Sequence, residues 1–297
     1  MGRSVQEARG PLRGSMILMA VMFVLCQASG VSAQGLSTIM RVVIDPGHGG
    51  ANEGALGPLG HLEKDETLRI AYALRARLAR DYPDLEVILT RTLDVDVGLV
   101  DRIHAANVLE ADLFISLHLN SAPNPMARGV EVFYLAADKA MPLVTPGEGS
   151  WGQGSSYLPS PEDGAGPVHR VPGEDLATLL GDLGQARAHR DSADYAALLQ
   201  QELVQVSRAG GVPSRGVRQA NFAVLRGARM PAVVVEFGFL SNTMEERWLT
   251  SERMRLAVAG AFSRSLQRLD VVFQKRKYLA DAGQGPARRD AAARIGR

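Results

Sequence analysis

The sequence predicts an α/β fold, a single domain on a mixed, mostly parallel sheet with helices on both faces. Short β-branched runs alternate with stretches of helical periodicity between Arg41 and Leu269, the rhythm of strands connected through helices. The composition, 46% apolar and 22% charged, is that of a chain able to bury a core. A chain of 297 residues removes roughly 75% of its unfolded surface from water on folding. Basic and acidic residues number 33 and 32, giving a formal net charge of +1 with no dominating basic block, which argues against bulk binding of nucleic acid.

Taken in order, Arg3, Arg9 and Arg13 precede an unbroken apolar run from Met16 to Cys26, and Val31-Ser32-Ala33 follows. Basic, apolar, then small residues is the pattern of an export leader over residues 1–33, and the run is too short to span a bilayer. Arg41 to Asp45 is a buried strand running into a Pro-Gly loop. Glu66 to about Arg80 is a helix, carrying Ile70, Leu74 and Leu78 at helical spacing, and Glu86 to Thr90 is the next strand. A helix around Leu99, Ile103 and Ala106 leads to the strand Leu113 to Leu119, then to Gly129 to Leu135. Phe222 to Leu225 and Ala232 to Phe237 read as further strands, and a helix from about Ser251 to Leu269 completes a domain over residues 40–270. Residues 136–190 break the rhythm. Seven Gly and six Pro fall between Ala137 and Gly173, and a helix over 174–189 follows, weakened by Gly181 and Gly184 within its Leu176, Leu179, Leu180, Leu183 stripe. Residues 275–297 read as a disordered basic tail.

The only cysteine, Cys26, lies in the leader, so a metal in the mature protein must rest on His, Asp or Glu. His48 follows the first strand and His118 lies near the end of LFISLHL, at the carboxyl ends where open α/β sheets build their sites. Glu63 can fold back to them through a loop containing Gly54, Gly57 and Gly60, and Glu236 ends VVVEF at the same edge. Asp45 is expected to orient His48 rather than serve as a fourth ligand. His61 and His104 read as surface residues, and His169 and His189 receive no role. Asn120 and Arg218 are candidates for substrate contact or for local loop hydrogen bonding.

Four segments, VVIDPGHGG with HLEKDETL, DRIHAANVLEADLFISLHLNS, RGVEVFYL and RGVRQANFAVLRGARMPAVVVEFGFLSN, resemble in order those of the zinc-dependent N-acetylmuramoyl-L-alanine amidases of bacterial cell-wall turnover, typified by the periplasmic division amidases. The resemblance implies about six strands, one zinc ion held by His48, Glu63 and His118, and Glu236 as the catalytic carboxylate. It implies peptidoglycan as substrate and a periplasmic location. The short apolar run of the leader gives no membrane attachment after its removal, and a monomer is the default state. Ala51-Asn52-Glu53-Gly54 stands where the family often has Asp-Pro-Gly. Leu119 replaces a small residue and Phe237 a frequent Thr; none of these changes removes a ligand.

In division amidases a helix inserted at this place can cover the zinc cleft until an activator displaces it. By that resemblance helix 174–189 is a candidate autoinhibitory element, with Glu174, Asp175 or Asp182 approaching the metal and a LytM-type activator as partner; a solvated insertion without a regulatory role is the alternative. Two further readings stand beside amidase activity. They are a zinc carboxypeptidase or endopeptidase cutting within the stem peptide, and a non-catalytic wall-binding module.

Overall fold

The computed structural model describes residues 35–136 and 174–283, the latter with side chains from residue 181 to 282. The leader, residues 137–173 with His169, and the tail beyond 283 lie outside the described residues, as do the side chains of Glu174, Asp175, Leu176, Leu179 and Leu180.

Six strands form one sheet: β1 Arg41–Pro46, β2 Glu86–Leu89, β3 Leu113–Asn120, β4 Val130–Leu135, β5 Ser214–Ala220 and β6 Ala232–Phe239. Their order is β2-β1-β3-β6-β4-β5, with β4 antiparallel to β6 and every other pairing parallel. The expected mixed, mostly parallel sheet is therefore present. Among the described residues five α-helices accompany it: α1 Glu63–Asp81, α2 Leu99–Val108, α3 Glu174–Ala209, α4 Thr243–Leu249 and α5 Glu252–Gly283. Among the described residues no helix is long and apolar enough to cross a membrane.

Side-chain alternation sorts the sheet into two faces. Along β3, Leu113, Ile115, Leu117 and Leu119 pack with Leu74 and Leu78 of α1, Tyr195 and Leu199 of α3 and Phe262 and Leu266 of α5. Phe114 points the other way, into a smaller cluster with Val43, Val234, Ile103 of α2 and Val224 and Leu225. Three helices cover the first face, whereas the second cluster occupies only the amino-terminal part of β1, β3 and β6. The polar residues that continue it, Asp45, Ser116, His118, Asn120 and Glu236, are thus left facing a cleft at the carboxyl ends of the strands.

Several elements depart from expectation. The expected strand Phe222–Leu225 is replaced by a 3₁₀ turn over Ala223–Leu225, and the last strand of the sheet is the more polar Ser214–Ala220. As an edge strand β5 has one neighbour and stays partly exposed, so it carries no apolar run. Helix 174–189 continues without a break to Ala209. The later part of α3 packs under the sheet, with Tyr195, Leu199 and Leu203 buried. Contrary to the expected disordered tail from residue 275, α5 runs to Gly283 beside α3, where Arg276 pairs with Asp191 and Asp194.

Helix α3 runs antiparallel to β4. Gln200 Nε2 donates to Val130 O at 3.3 Å, and His189 Nε2 lies 2.9 Å from Leu135 O. Ser192 Oγ accepts from Ala232 N at 2.9 Å, at the amino end of β6. Residues 174–188 therefore extend about 20 Å beyond the sheet edge opposite His118. Asp182 is exposed there, away from the strand ends that it was expected to approach.

Asp270 ties α5 to the chain entering β1. It accepts from the amides of Thr38 and Ile39 at 2.7 and 3.2 Å and from the Thr38 hydroxyl at 2.5 Å. Burial pushes its carboxyl up, but the bonds from Thr38, Ser37 and Gln274 more than offset this and hold it below the ordinary aspartate value. A depressed folded-state pKa gives stability that is complete above the unfolded value near 4 and lost as pH falls through the folded one. Asp270→Asn is expected to cost about 2 kcal/mol at pH 7, a fall in Tm of about 4–8 °C. The difference from wild type should shrink below pH 4 in urea melts.

Candidate metal centre

His48, Glu63 and His118 converge as expected, each offering a ligand atom within 4.8 Å of the others. Glu63 Oε2 is 3.1 Å from His48 Nε2, and Glu63 Oε1 is 2.9 Å from His118 Nδ1. The carboxylate is fixed from behind, Oε2 accepting from Ala55 N at 2.9 Å and Oε1 from Leu119 N at 3.0 Å. Burial pushes the Glu63 carboxyl up, but His118 and His48 outweigh it and hold the group well below the carboxylate range. His48 is lowered by burial and raised more strongly by Glu63 and Asn52, ending above its usual value.

Each group reaches this point for a local reason. His118 faces the cleft by strand alternation. Glu63 is the first residue of α1, where Asp65 and Glu66 also place negative charge at the positive end of the helix dipole. A Cβ at Gly54, whose φ is +68°, would lie 2.6 Å from Glu63 Oε2, so the loop closes over the carboxylate only with glycine there.

His48 has φ +60°, a strained conformation for a residue with a side chain. Two buried arginines hold the surrounding turn. Arg102 donates to Asp45 Oδ1, Pro46 O and His48 O, each at 2.8 Å, and Arg91 donates to Pro46 O and Gly47 O at 3.0 and 2.8 Å.

Asp45 does not orient the His48 ring as expected. Its carboxylate is taken by Thr90 Oγ1, Ser116 Oγ and Arg102 Nη1 at 2.6, 2.7 and 2.8 Å, while Asn52 Oδ1 meets His48 Nδ1 at 2.8 Å. Asp45 thus neutralises the buried arginine, which in turn fixes the main chain of the turn.

Glu236 lies directly across from His118 in the β3–β6 register, and Glu131 of β4 lies across from Glu236. Burial first, then the charges of Glu63 and Glu131, push the Glu236 carboxyl well above its usual value. Its Oε2 is buried without a hydrogen-bond partner among the described residues, the arrangement of a group ready to accept one. Glu131 Oε1 accepts from Asn120 Nδ2 at 3.1 Å and Arg215 Nε at 3.0 Å, and Arg218 Nε stands 3.2 Å from Oε2. Asn120 and Arg218 therefore both lie in the cleft, joined through Glu131. A cavity of about 260 Å³ opens beside His48 and His118, bordered by Asn52, Asp96, Leu99 and Val224.

Sequence reading overlooked Asn52, Arg91, Arg102, Glu131 and all of α4. A signal existed for Arg102, which occupies a core position of the Leu99, Ile103, Ala106 helix stripe. In α4, Asn242 caps the helix by accepting from Met244 N and Glu245 N. The adjacent carboxylates then hold two loops. Glu245 accepts from Phe239 N and Gly129 N at 2.7 and 2.9 Å. Glu246 accepts from Leu59 N and from His61 Nδ1 at 2.8 and 2.9 Å, fixing the loop that leads into Glu63. His61 lies at the surface as expected, its side chain 38% exposed, but is tied to Glu246, and His104 is exposed.

The family model described as N-acetylmuramoyl-L-alanine amidase matches residues 42–268. The chain is 34% identical over 231 residues to N-acetylmuramoyl-L-alanine amidase AmiC of Neisseria meningitidis serogroup B, covering 76% of this chain and 52% of that protein. It thus spans about half the length of that relative. With AmiA of Salmonella typhimurium it shares 32% identity over 229 residues, covering 76% of this chain and 74% of that one. The crystal structure of N-acetylmuramoyl-L-alanine amidase from Clostridium difficile 630 superposes with a TM-score of 0.57 at 26% identity, covering 78% of this chain and 97% of that one.

Proposed function

This chain belongs to the N-acetylmuramoyl-L-alanine amidase family, and on that premise we propose that it hydrolyses the amide between the lactyl carbonyl of N-acetylmuramic acid and L-alanine in peptidoglycan. The observation that carries the reading is the convergence of His48, Glu63 and His118 beside buried Glu236 at one edge of the sheet.

The donor set fits a single zinc ion. One ring nitrogen from each histidine and one Glu63 oxygen lie within 4.8 Å of one another, a spread that small side-chain shifts would close to the roughly 3.3 Å between ligands of a tetrahedral ion. Two imidazoles and a carboxylate leave one position for water or substrate. When bound, zinc supplies Lewis acidity, polarising a carbonyl and making water acidic enough to act near neutral pH.

His48 and His118 would hold the ion through ring nitrogens whose positions are set by the clamped turn and by β3. Glu236 accepts a proton from the attacking water and delivers it to the leaving amine of L-alanine, a transfer suited to a buried carboxyl with raised proton affinity. A cation held by the neighbouring triad would offset that rise and favour the basic form for the first step.

Mass spectrometry of digested muropeptides tests the reaction. A free lactyl carboxylate with intact stem peptide is expected. Cuts within the stem would identify a carboxypeptidase or endopeptidase, and an undigested wall a binding module.

The reading includes export by the leader of residues 1–33 to the periplasm. It also includes control by the inserted helix, with a LytM-type protein as activator. Because α3 projects from the opposite edge, such control requires the helix to break and turn back, and Gly181 and Gly184 lower the cost of breaking it by about 1 kcal/mol each. Deleting residues 137–184 is expected to raise basal wall hydrolysis several-fold in a dye-release assay; an unchanged rate would remove autoinhibition from the reading.

A further inference from the structure

We propose that Arg218, supported by Arg215, binds a free carboxylate on the second residue of the stem peptide, an inference that rests on the amidase reading above. His118, Glu236 and Glu131 form a row across successive strands on the cleft face, each step about 4.8 Å. Arg215 and Arg218 flank the far end of that row, both within 3.2 Å of the Glu131 carboxylate.

The direction of the substrate follows from Glu236. A group that protonates the leaving amine must stand on the peptide side of the scissile bond. Glu236 lies on the β4 side of His118, so the peptide runs toward β4 and β5, while the sugar lies toward the cavity bordered by Asn52 and Leu99. An extended peptide advances about 3.3–3.6 Å per residue, which places a carboxylate on the second residue roughly 7–10 Å from the reacting carbonyl. Glu131 lies about 10 Å along the row from His118.

Charge and satisfaction favour an anion at that point. Arg128, Arg215 and Arg218 stand against the Glu131 and Glu245 carboxylates there, leaving an excess of one positive charge at that end of the row. Glu131 Oε1 already accepts from Asn120 and Arg215. Arg218 Nε approaches Oε2 without forming an aligned hydrogen bond, and its side chain is 50% exposed. An ion pair so exposed contributes little to folding, whereas its guanidinium edge can form paired hydrogen bonds to an incoming carboxylate. Arg215 is less free to do so, with its guanidinium 5.1 Å from the Phe239 ring centre.

Zinc-loaded full-length protein is tested with two muramyl dipeptides, L-alanine being followed in one by D-glutamate with a free α-carboxylate and in the other by its α-amide. Wild type is expected to favour the acid by about tenfold or more in kcat/KM, chiefly through KM, the magnitude of a charge-assisted hydrogen bond. The preference should fall as salt rises. Arg218→Gln should bring the ratio near one, and Arg218→Lys should restore part of it, each variant first checked for wild-type Tm. If Arg218→Gln does not fold, the wild-type ratio, its salt dependence and Arg218→Lys decide. Equal rates for acid and amide in wild type, or an undiminished preference in folded Arg218→Gln, would overturn the inference while leaving the amidase reading intact. Release of N-acetylmuramic acid from neither dipeptide, by the full-length protein and by the variant lacking residues 137–184 alike, with purified peptidoglycan also left uncut, would instead overturn that reading.

Discussion

Glu236→Gln is expected to lower kcat on purified peptidoglycan by about 10²–10⁴-fold while zinc content stays at the wild-type level. Glutamine keeps the side-chain volume and a carbonyl acceptor but cannot take up or return a proton. The side chain lies in a buried position of a strand whose eight residues are all buried, so the amide adds little strain. Removing a carboxyl that is forced upward by burial and by the charges of Glu63 and Glu131 relieves repulsion in the metal-free state, and the variant should melt at or above the metal-free wild type. Loss of activity together with retained metal and stability assigns the proton transfer to this group. A folded, zinc-loaded variant with wild-type turnover would remove it from the chemistry.

Glu63→Gln should act by a different route. The amide retains shape but removes the negative charge that faces both imidazoles, and zinc affinity is expected to fall more than about 100-fold, beyond the usual effect of residues that only support ligands. Metal analysis after dialysis and a chelator competition would measure it. Thermal unfolding supplies a second readout, since a ligand at 100 times its Kd stabilises the folded state by about 2.7 kcal/mol. Chelation should therefore lower the wild-type Tm and leave that of Glu63→Gln almost unmoved. If the variant bound zinc as tightly as wild type, Glu63 would have to be withdrawn from the donor set.

The two variants also separate what the chain announces locally from what it assembles. His48, Glu63, His118 and Glu236 were legible because each sits in a recognisable local context: a strand followed by Pro-Gly-His, a glycine-bearing loop before an acidic helix start, and two apolar strands that each carry a polar residue near the carboxyl end. The groups supporting them were not. Arg102 acts on the carbonyls of Pro46 and His48, more than fifty residues away in sequence. Glu246 fixes Leu59 and His61 from a helix near the other end of the domain. Asp45 departs from expectation for a related reason. Sequence proximity to His48 suggested a shared hydrogen bond, but the side chain on the preceding strand faces Thr90, Ser116 and Arg102 instead.

The inserted helix shows the same division. Its leucine spacing indicated a helix, which the structure contains, yet nothing in residues 174–189 reveals that the helix continues to Ala209 or which end of the sheet it leaves from. Those follow from the burial of Tyr195 and Leu199 and from the antiparallel course of α3 along β4. Likewise the polar β5 escaped notice because an edge strand has less need of apolar residues, and the end of α5 was read as a tail because its partner, the Asp191 and Asp194 face of α3, is distant in sequence.

By itself the sequence determined the α/β class, the alternation that puts His118 and Asn120 on one face of β3, and the four residues able to carry metal and proton chemistry. These depend on periodicity and residue type, which are local properties of the chain. Tertiary structure alone decided which carboxylate neutralises which arginine, where the cleft remains uncovered, and that α3 points away from it. Those outcomes depend on distances between segments far apart in sequence, set only when three helices cover one face of the sheet and a single helix with one 3₁₀ turn covers part of the other.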